Sequence, residues 1–314
     1  MNNTENTPFH SGELAVQERL GVQSQMVPIG KKNIRDYMPE QHRQFFSQLP
    51  FILIGAMDGN MQPWASILMG NPGFAFSPQP KSLVINTSLL AYDPLLEVLK
   101  VGVSIGLLGI ELPTRRRNRL NGIICSGYRS GFSVDVVQSF GNCPKYIQTR
   151  DFYHVGRQDT SPTLKVSQNL TASDRALILE SDTFFIASGN TIDRSVDVSH
   201  RGGKVGFVKI DGDSMITVPD FFGNNFFNTL GNLQNHPLAG LLFIDFTNGD
   251  LLYVAADTEI IWQGVEVQSF VGAERLVRFY IREVRRITNS LPLRWQAPQL
   301  SPYLLPTGNW VQTL

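Results

Sequence analysis

Residues 50–74 read PFILIGAMDGNMQPWASILMGNPGF, and residues 183–207 read TFFIASGNTIDRSVDVSHRGGKVGF. A displacement of 133 positions lays one on the other without a gap, placing Phe51 on Phe184, Ser66 on Ser199 and Gly73-Phe74 on Gly206-Phe207. At a displacement of 134, IGLLGIEL (105–112) falls on AGLLFIDF (239–246), and DPLLEVLKV (93–101) on FNTLGNLQN (227–235). A period this long is no solenoid repeat. It predicts two copies of one strand-rich domain of roughly 100 residues.

Short runs rich in Ile, Val and Phe at 51–56, 103–112, 183–188, 205–210, 239–246 and 276–281 predict strands. The 27 glycines and 18 prolines fall largely in punctuation such as MDGN, GNPG, RGG and TNGD, which reads as turns. Helices are expected at 13–20, 36–48, 93–101, 172–180 and 224–235. Asp93-Pro94 reads as an N-cap followed by Pro at the first helical position, and Thr171 with Asp174 as a second cap. The fold class expected is mainly β with short helices (α+β): two tandem antiparallel barrels, each crossed by a helix, since closing a sheet removes exposed edges. The division expected is 1–44, an N-terminal helical segment; 45–145, the first barrel half; 146–170, a connector; 171–290, the second half; and 291–314, a Pro-rich tail.

Composition limits the function. With 27 Lys+Arg against 27 Asp+Glu, the 314-residue chain lacks the basic excess that nucleic acid or an anionic membrane demands, so neither is expected as a partner. No window of about 18 apolar residues predicts a membrane span, and the polar start MNNTENTPFHSGE reads as neither signal nor transit peptide. Two cysteines, Cys125 and Cys143, cannot make a disulfide framework, which points to a reducing, cytoplasmic compartment. The five histidines are scattered without ligand spacing, so no metal site is expected.

Two stretches carry candidate chemistry. In VDVSHRGGK, strand alternation places Ser199 and Arg201 on one face and His200 on the other, while Gly202 and Gly203 permit close approach. The strand MITVPD then delivers Pro219 and Asp220 to a Gly-Asn-Asn turn. Asn225 and Thr229, four apart, are expected on one face of the following helix near its N-terminus, an anion-binding position. In the first copy, Arg115, Arg117 and Arg119 would share a strand face, able to hold a phosphate or simply be solvated. Cys143, in GNCPKYI, reads as a structural cysteine more readily than a reactive one. Arg294 and Trp295 would either stack on a bound ring or anchor a loose tail.

The order VDVSHRGGKVGFVKI, MITVPDFFGNNFFNTLGNLQNHPLAGLLFIDF, LLYVAADTEII, together with GIELPTRRRNRLNG and FGNCPKYIQ, resembles the flavin-nucleotide-binding proteins related to pyridoxamine 5′-phosphate oxidase, over about residues 8–295. The resemblance implies split barrels of the FMN-binding type, with FMN as cofactor. Family contacts to the phosphate and ribityl chain carry over to Ser199, His200, Arg201, Asn225 and Thr229, with Pro219, Asp220, Arg117 and Arg119 beside them. One departure is that Asn224 and Asn225 stand where family oxidases often carry basic residues. The function implied is an FMN-dependent oxidoreductase acting on a small-molecule substrate, with no catalytic side chain identified and a homodimer expected. The alternatives are a non-catalytic flavin-binding or carrier protein and a cofactor-free structural barrel.

Overall fold

The computed structural model describes residues 7–127, 130–156 and 161–310; Tyr128 and Arg129, and the parts of the expected terminal segments and connector at 1–6, 157–160 and 311–314, lie outside it. In chain order it contains α1 Ser11–Arg19, α2 Gln23–Asn33, α3 Glu40–Gln48, β1 Phe51–Met57, β2 Pro63–Met69, β3 Ala75–Gln79, β4 Ser82–Ile85, β5 Ser104–Glu111, β6 Arg116–Gly127 and β7 Phe132–Gly141. There follow β8 Phe152–His154, β9 Thr163–Ser167, α4 Ala172–Glu180, β10 Thr183–Gly189, β11 Val196–Gly202, β12 Lys209–Asp211 and β13 Met215–Phe221. The last elements are α5 Asn228–Asn235, β14 Leu238–Ile244, β15 Leu251–Ile261, α6 Val265–Gln268, β16 Ala273–Thr288 and β17 Leu293–Trp295.

The chain is mainly β, built as two tandem split barrels. The first sheet runs β2-β1-β5-β6-β7-β4-β3 and the second β11-β10-β14-β15-β16-β13-β12, the same order strand for strand, with β9 added on β16. Every pairing is antiparallel. Register refines the ungapped alignment. Ile54 lies opposite Ser66 and Ile186 opposite Ser199, so with the serines matched β1 maps onto β10 at 132 positions, and Phe51 falls on Thr183 rather than Phe184. Gly106 opposite Gly55 and Gly240 opposite Ala187 require the same value.

Strands β1, β5, β10 and β14 are buried along nearly their whole length. One face looks into its own barrel and the other toward the neighbouring half, which is why their sequences read as unbroken apolar runs rather than alternations. A single core cluster therefore joins Ile54 and Leu107 of the first half to Phe185, Val198, Leu242 and Tyr253 of the second. A separate cluster of Phe184, Ile216, Phe243 and Phe279 fills the second barrel.

Three local expectations are corrected, and one helix forms where none was expected. Residues 94–98 form consecutive turns instead of a helix, although the Asp93 carboxylate accepts from the Leu95 N–H as an N-cap does; its other oxygen is held by the Ser66 hydroxyl. Val205–Phe207 is a turn, with Gly206 at φ 84°, so the strand expected at 205–210 shrinks to β12. Helix α5 begins at Asn228 because Asn225 and Phe227 both take left-handed backbone (φ 60° and 61°). Helix α2 forms despite Pro28, its packing supplied where Gly30 meets the Phe9 ring. The tail is not loose: β17 pairs with β8, and Trp295 packs edge-on against Phe51 and Phe246 (centroids 5.9 and 5.1 Å). No helix among the described residues is long and apolar enough to cross a membrane.

Candidate functional site

A cleft opens between the halves, where β6 of the first faces β11 and the β13–α5 loop of the second. All nine expected residues border it: Arg117, Arg119, Ser199, His200, Arg201, Pro219, Asp220, Asn225 and Thr229. Strand alternation explains most of the convergence, since Arg117 and Arg119 share one face of β6 as Ser199 and Arg201 share one face of β11. Arg115 is not among them. It caps a short 3-10 turn with left-handed backbone (φ 59°), and its Nε donates to the Ile147 carbonyl (2.9 Å). Asn225 reaches the cleft from the loop, so it does not share a helix face with Thr229 as expected. His200 borders the cleft, but its ring packs edge-on against Phe185 (5.8 Å). Burial, then Arg117, Arg150 and Arg201, hold that imidazole well below its ordinary pKa and so neutral.

Buried in the cleft wall, Arg119 donates to the Ser199 hydroxyl and lies 3.3 Å from the Asp197 carboxylate. Asp197 also accepts from the side-chain amides of Asn121 (2.9 Å) and Asn232 (2.8 Å). Ser199 Oγ lies 2.7 Å from Thr229 Oγ1. Nearer the mouth, Arg201 pairs with one oxygen of Asp220 (2.5 Å), while Arg275 approaches the other (3.3 Å). The Nε of Arg117 donates to the Cys143 carbonyl (2.7 Å). Burial, then Arg119 and Arg201, lower the Arg117 guanidinium to about 9, which leaves it charged at neutral pH. Tyr146 donates to the Phe222 carbonyl (2.8 Å), and the Lys145 ammonium stands 4.6 Å from the Phe222 ring centre.

The lining carries four cationic side chains, Arg117, Arg119, Lys145 and Arg201, against one carboxylate, Asp220. Three buried side-chain nitrogens along the cleft, Arg119 Nε, Asn142 Nδ2 and His200 Nε2, have no hydrogen-bond partner among the described residues. An unmade buried hydrogen bond is costly, so surplus positive charge with idle donors fits an anionic group such as a phosphate. Asp197, Asn121, Asn142 and Asn232 were missed by the sequence reading. Asp197 and Asn121 were legible in principle, continuing by twos the faces that carry Ser199 and Arg119; Asn142 and Asn232 come from a loop and a helix whose approach no local pattern encodes.

The matching place in the other half differs. Register puts Tyr253 at the position of Arg119, because Leu108 faces Arg119 as Leu242 faces Tyr253. There Ser66 donates to Asp93, and the Tyr253 hydroxyl lies 3.4 Å from both. Trp64, which takes the place of Asp197, has the Arg285 guanidinium 4.7 Å from its ring centre. All of Ser66, Asp93 and Tyr253 are buried. One half thus presents cations to a cleft where the other packs hydroxyls around a buried acid.

No protein-family model matches the chain, and no curated protein matches it. Among solved structures, HupZ from Group A Streptococcus is 10% identical, with a TM-score of 0.31, covering 37% of this chain and 98% of its own. An FMN-binding protein from Syntrophomonas wolfei subsp. wolfei is 14% identical (TM-score 0.25; 36% and 88% covered). The FAD-binding protein from Mycobacterium smegmatis is 10% identical (TM-score 0.26; 40% and 100% covered). Likenesses this distant bear no weight beside the strand order and the cleft itself.

Proposed function

We propose that the chain is an FMN-binding flavoprotein whose inter-half cleft holds the nucleotide by its phosphate. The observation that carries this reading is the excess of cationic side chains, with unpartnered Arg119 and Asn142 donors, in a cleft bordered by the hydroxyls of Ser199 and Thr229. Arg201, Arg119 and Arg117 would hold the phosphate, and the two hydroxyls would accept or donate as the anion requires. Asp220 and Asp197 act as counterions that fix the arginine side chains in the absence of an anion. A bound flavin would supply hydride or electron acceptance, so an oxidoreductase needs no dedicated side-chain acid or base. That agrees with a cleft whose one histidine is buried and neutral. We further propose a small-molecule substrate. A homodimer is not required to complete the cleft, which draws on both halves of one chain.

Titration of FMN into the flavin-free full chain tests the reading. A charge-assisted contact contributes about 1.5 to 3 kcal/mol, so Arg201→Ala should weaken binding roughly tenfold to a hundredfold with the fold retained. Unchanged affinity in Arg201→Ala, or no flavin absorption retained by wild type after gel filtration, would remove it. Anaerobic reduction of the loaded protein by candidate donors separates an enzyme from a flavin carrier.

A further inference from the structure

Behind the Arg119–Asp197 pair lies a second cavity, of about 300 Å³, between the segment Thr7–Glu13, strand β6 and the β10–β11 hairpin. Its polarity is opposite to that of the cleft. Arg119 borders the cleft and Asp197 borders the cavity, so one ion pair is the wall between them. Among the described residues, the cavity is lined by Glu13, Asp193 and Asp197, with His10, and by no Lys or Arg. Glu13 and Asp197 are 3% exposed.

Acidic residues alone do not make a site, but Asn121 supplies an independent sign. It is 7% exposed and lines the cavity, its Nδ2 is fixed by donation to Asp197, and its carbonyl oxygen Oδ1 has no partner among the described residues. Because a carboxylate only accepts, the amide cannot be turned round without losing that bond. A buried acceptor is left facing the space. His10 has the opposite need: its Nδ1 accepts from the Gly12 N–H (3.1 Å), which puts the ring proton on Nε2, 3.6 Å from the Glu13 carboxyl and without a hydrogen-bond partner among the described residues. No group of three or more His, Cys, Asp or Glu among the described residues is arranged to hold a metal ion. The volume also exceeds what a single ion fills and reaches the lower end of small-molecule pockets, about 300 Å³.

We propose that this cavity is a binding site for a small organic cation, an ammonium or guanidinium carried on a short apolar stem. Its charged head would donate to Asn121 Oδ1 and sit among the carboxyls of Asp193 and Asp197, while the stem lies along Ile105, Ile123 and Val137. The site shares Asp197 with the cleft, where that carboxylate pairs with Arg119, while the unpartnered Asn121 Oδ1 belongs to a residue that lines the cavity and not the cleft.

The test is calorimetric or NMR titration of the full chain with n-propylguanidinium and n-butylammonium, using n-butanol as the uncharged control. The expected result is saturable binding of the cations, at least tenfold weaker in Asn121→Leu, with n-butanol failing to displace them. Asn121→Leu also removes a bond to Asp197, so Ile123→Trp provides a second variant. Ile123 is 41% exposed at the rim, and the indole should block entry without touching a carboxylate. Saturable binding lost in Ile123→Trp while its melting temperature is retained supports the site even if Asn121→Leu unfolds. Cation binding unchanged in Ile123→Trp, binding of n-butanol as tight as that of the cations, or only a non-saturating response abolished by salt would overturn it.

Discussion

Asp93 and Arg119 show how a single position sets the character of each half. Asp93 is fully buried beside Ser66 and Tyr253, and burial raises its carboxyl to about 6 against the pull of those hydroxyls and the Leu95 N–H. An unfolded Asp releases its proton near pH 4, so between about pH 4 and about pH 6 the unfolded chain ionises first. This group therefore makes folding less favourable as pH rises through that window, by about 3 kcal/mol, and its contribution is constant above it. His42 works the other way: burial lowers it to about 4, so its contribution is lost as pH falls below the unfolded value of 6.5. The total profile mixes both, and the difference between wild type and Asp93→Asn isolates the acid. Urea unfolding should show the variant gaining on wild type by about 3 kcal/mol from about pH 4 to about pH 7. A flat difference would mean that the carboxylate is adequately solvated or paired in the fold. The Asp-Pro pattern placed the cap that Asp93 makes to the Leu95 N–H, but the pull of Ser66 and Tyr253, remote in sequence, is invisible to that pattern.

At the scale of elements, the contact between α1 and α5 is made by two glycines. A Cβ on Gly231 would stand 2.6 Å from the Glu13 nitrogen, and one on Gly12 would stand 2.1 Å from the Gly231 carbonyl oxygen, both inside any tolerable contact. The crossing brings Glu13 to the Asn228 amide and Gln17 to the Phe226 carbonyl (3.3 Å), so α1 also braces the loop that leads into the cleft. Gly231→Ala should cost about 1 to 3 kcal/mol by overpacking and speed proteolysis near Gly21, whereas Gly59→Ala, with open space around it, should be close to neutral. Equal urea midpoints for the two variants would show that the helices separate without penalty. Helices α1, α3 and α4 lie close to the expected 13–20, 36–48 and 172–180, the last marked by its Thr171–Asp174 cap. Helix α2 was not, because Pro28 and Gly30 argue against a helix locally and only packing on Phe9 overrides them.

For the whole molecule, the shared strand order carries a consequence for cooperativity. The halves meet through glycines at matching places: a Cβ on Gly106 would stand 2.4 Å from the Val196 carbonyl oxygen, and one on Gly240 would stand 2.2 Å from that of Pro63. Backbone thus packs on backbone from each half in turn. The periodic likeness of the two copies was readable in the chain because each copy must form the same strands. What was not readable is which faces the halves present to each other, since a strand buried on both sides looks alike whether its second neighbour is a helix or another barrel. The core cluster runs through this junction, so neither half can expose it without losing apolar burial. The full chain should therefore unfold in one calorimetric transition with van't Hoff and calorimetric enthalpies in agreement, although its length would permit two. Gly240→Ala, placed in the second half, should lower that single transition as a whole instead of splitting it, by about 1 to 3 kcal/mol or more. Residues 45–145 expressed alone should fail to give a cooperative melt, because β1, β2 and β5 would present to water the faces that now meet β10, β11 and β14. Two resolved transitions in the full chain, or an isolated first half with a sharp melt of its own, would show that the junction is a contact between independent domains and not part of the core.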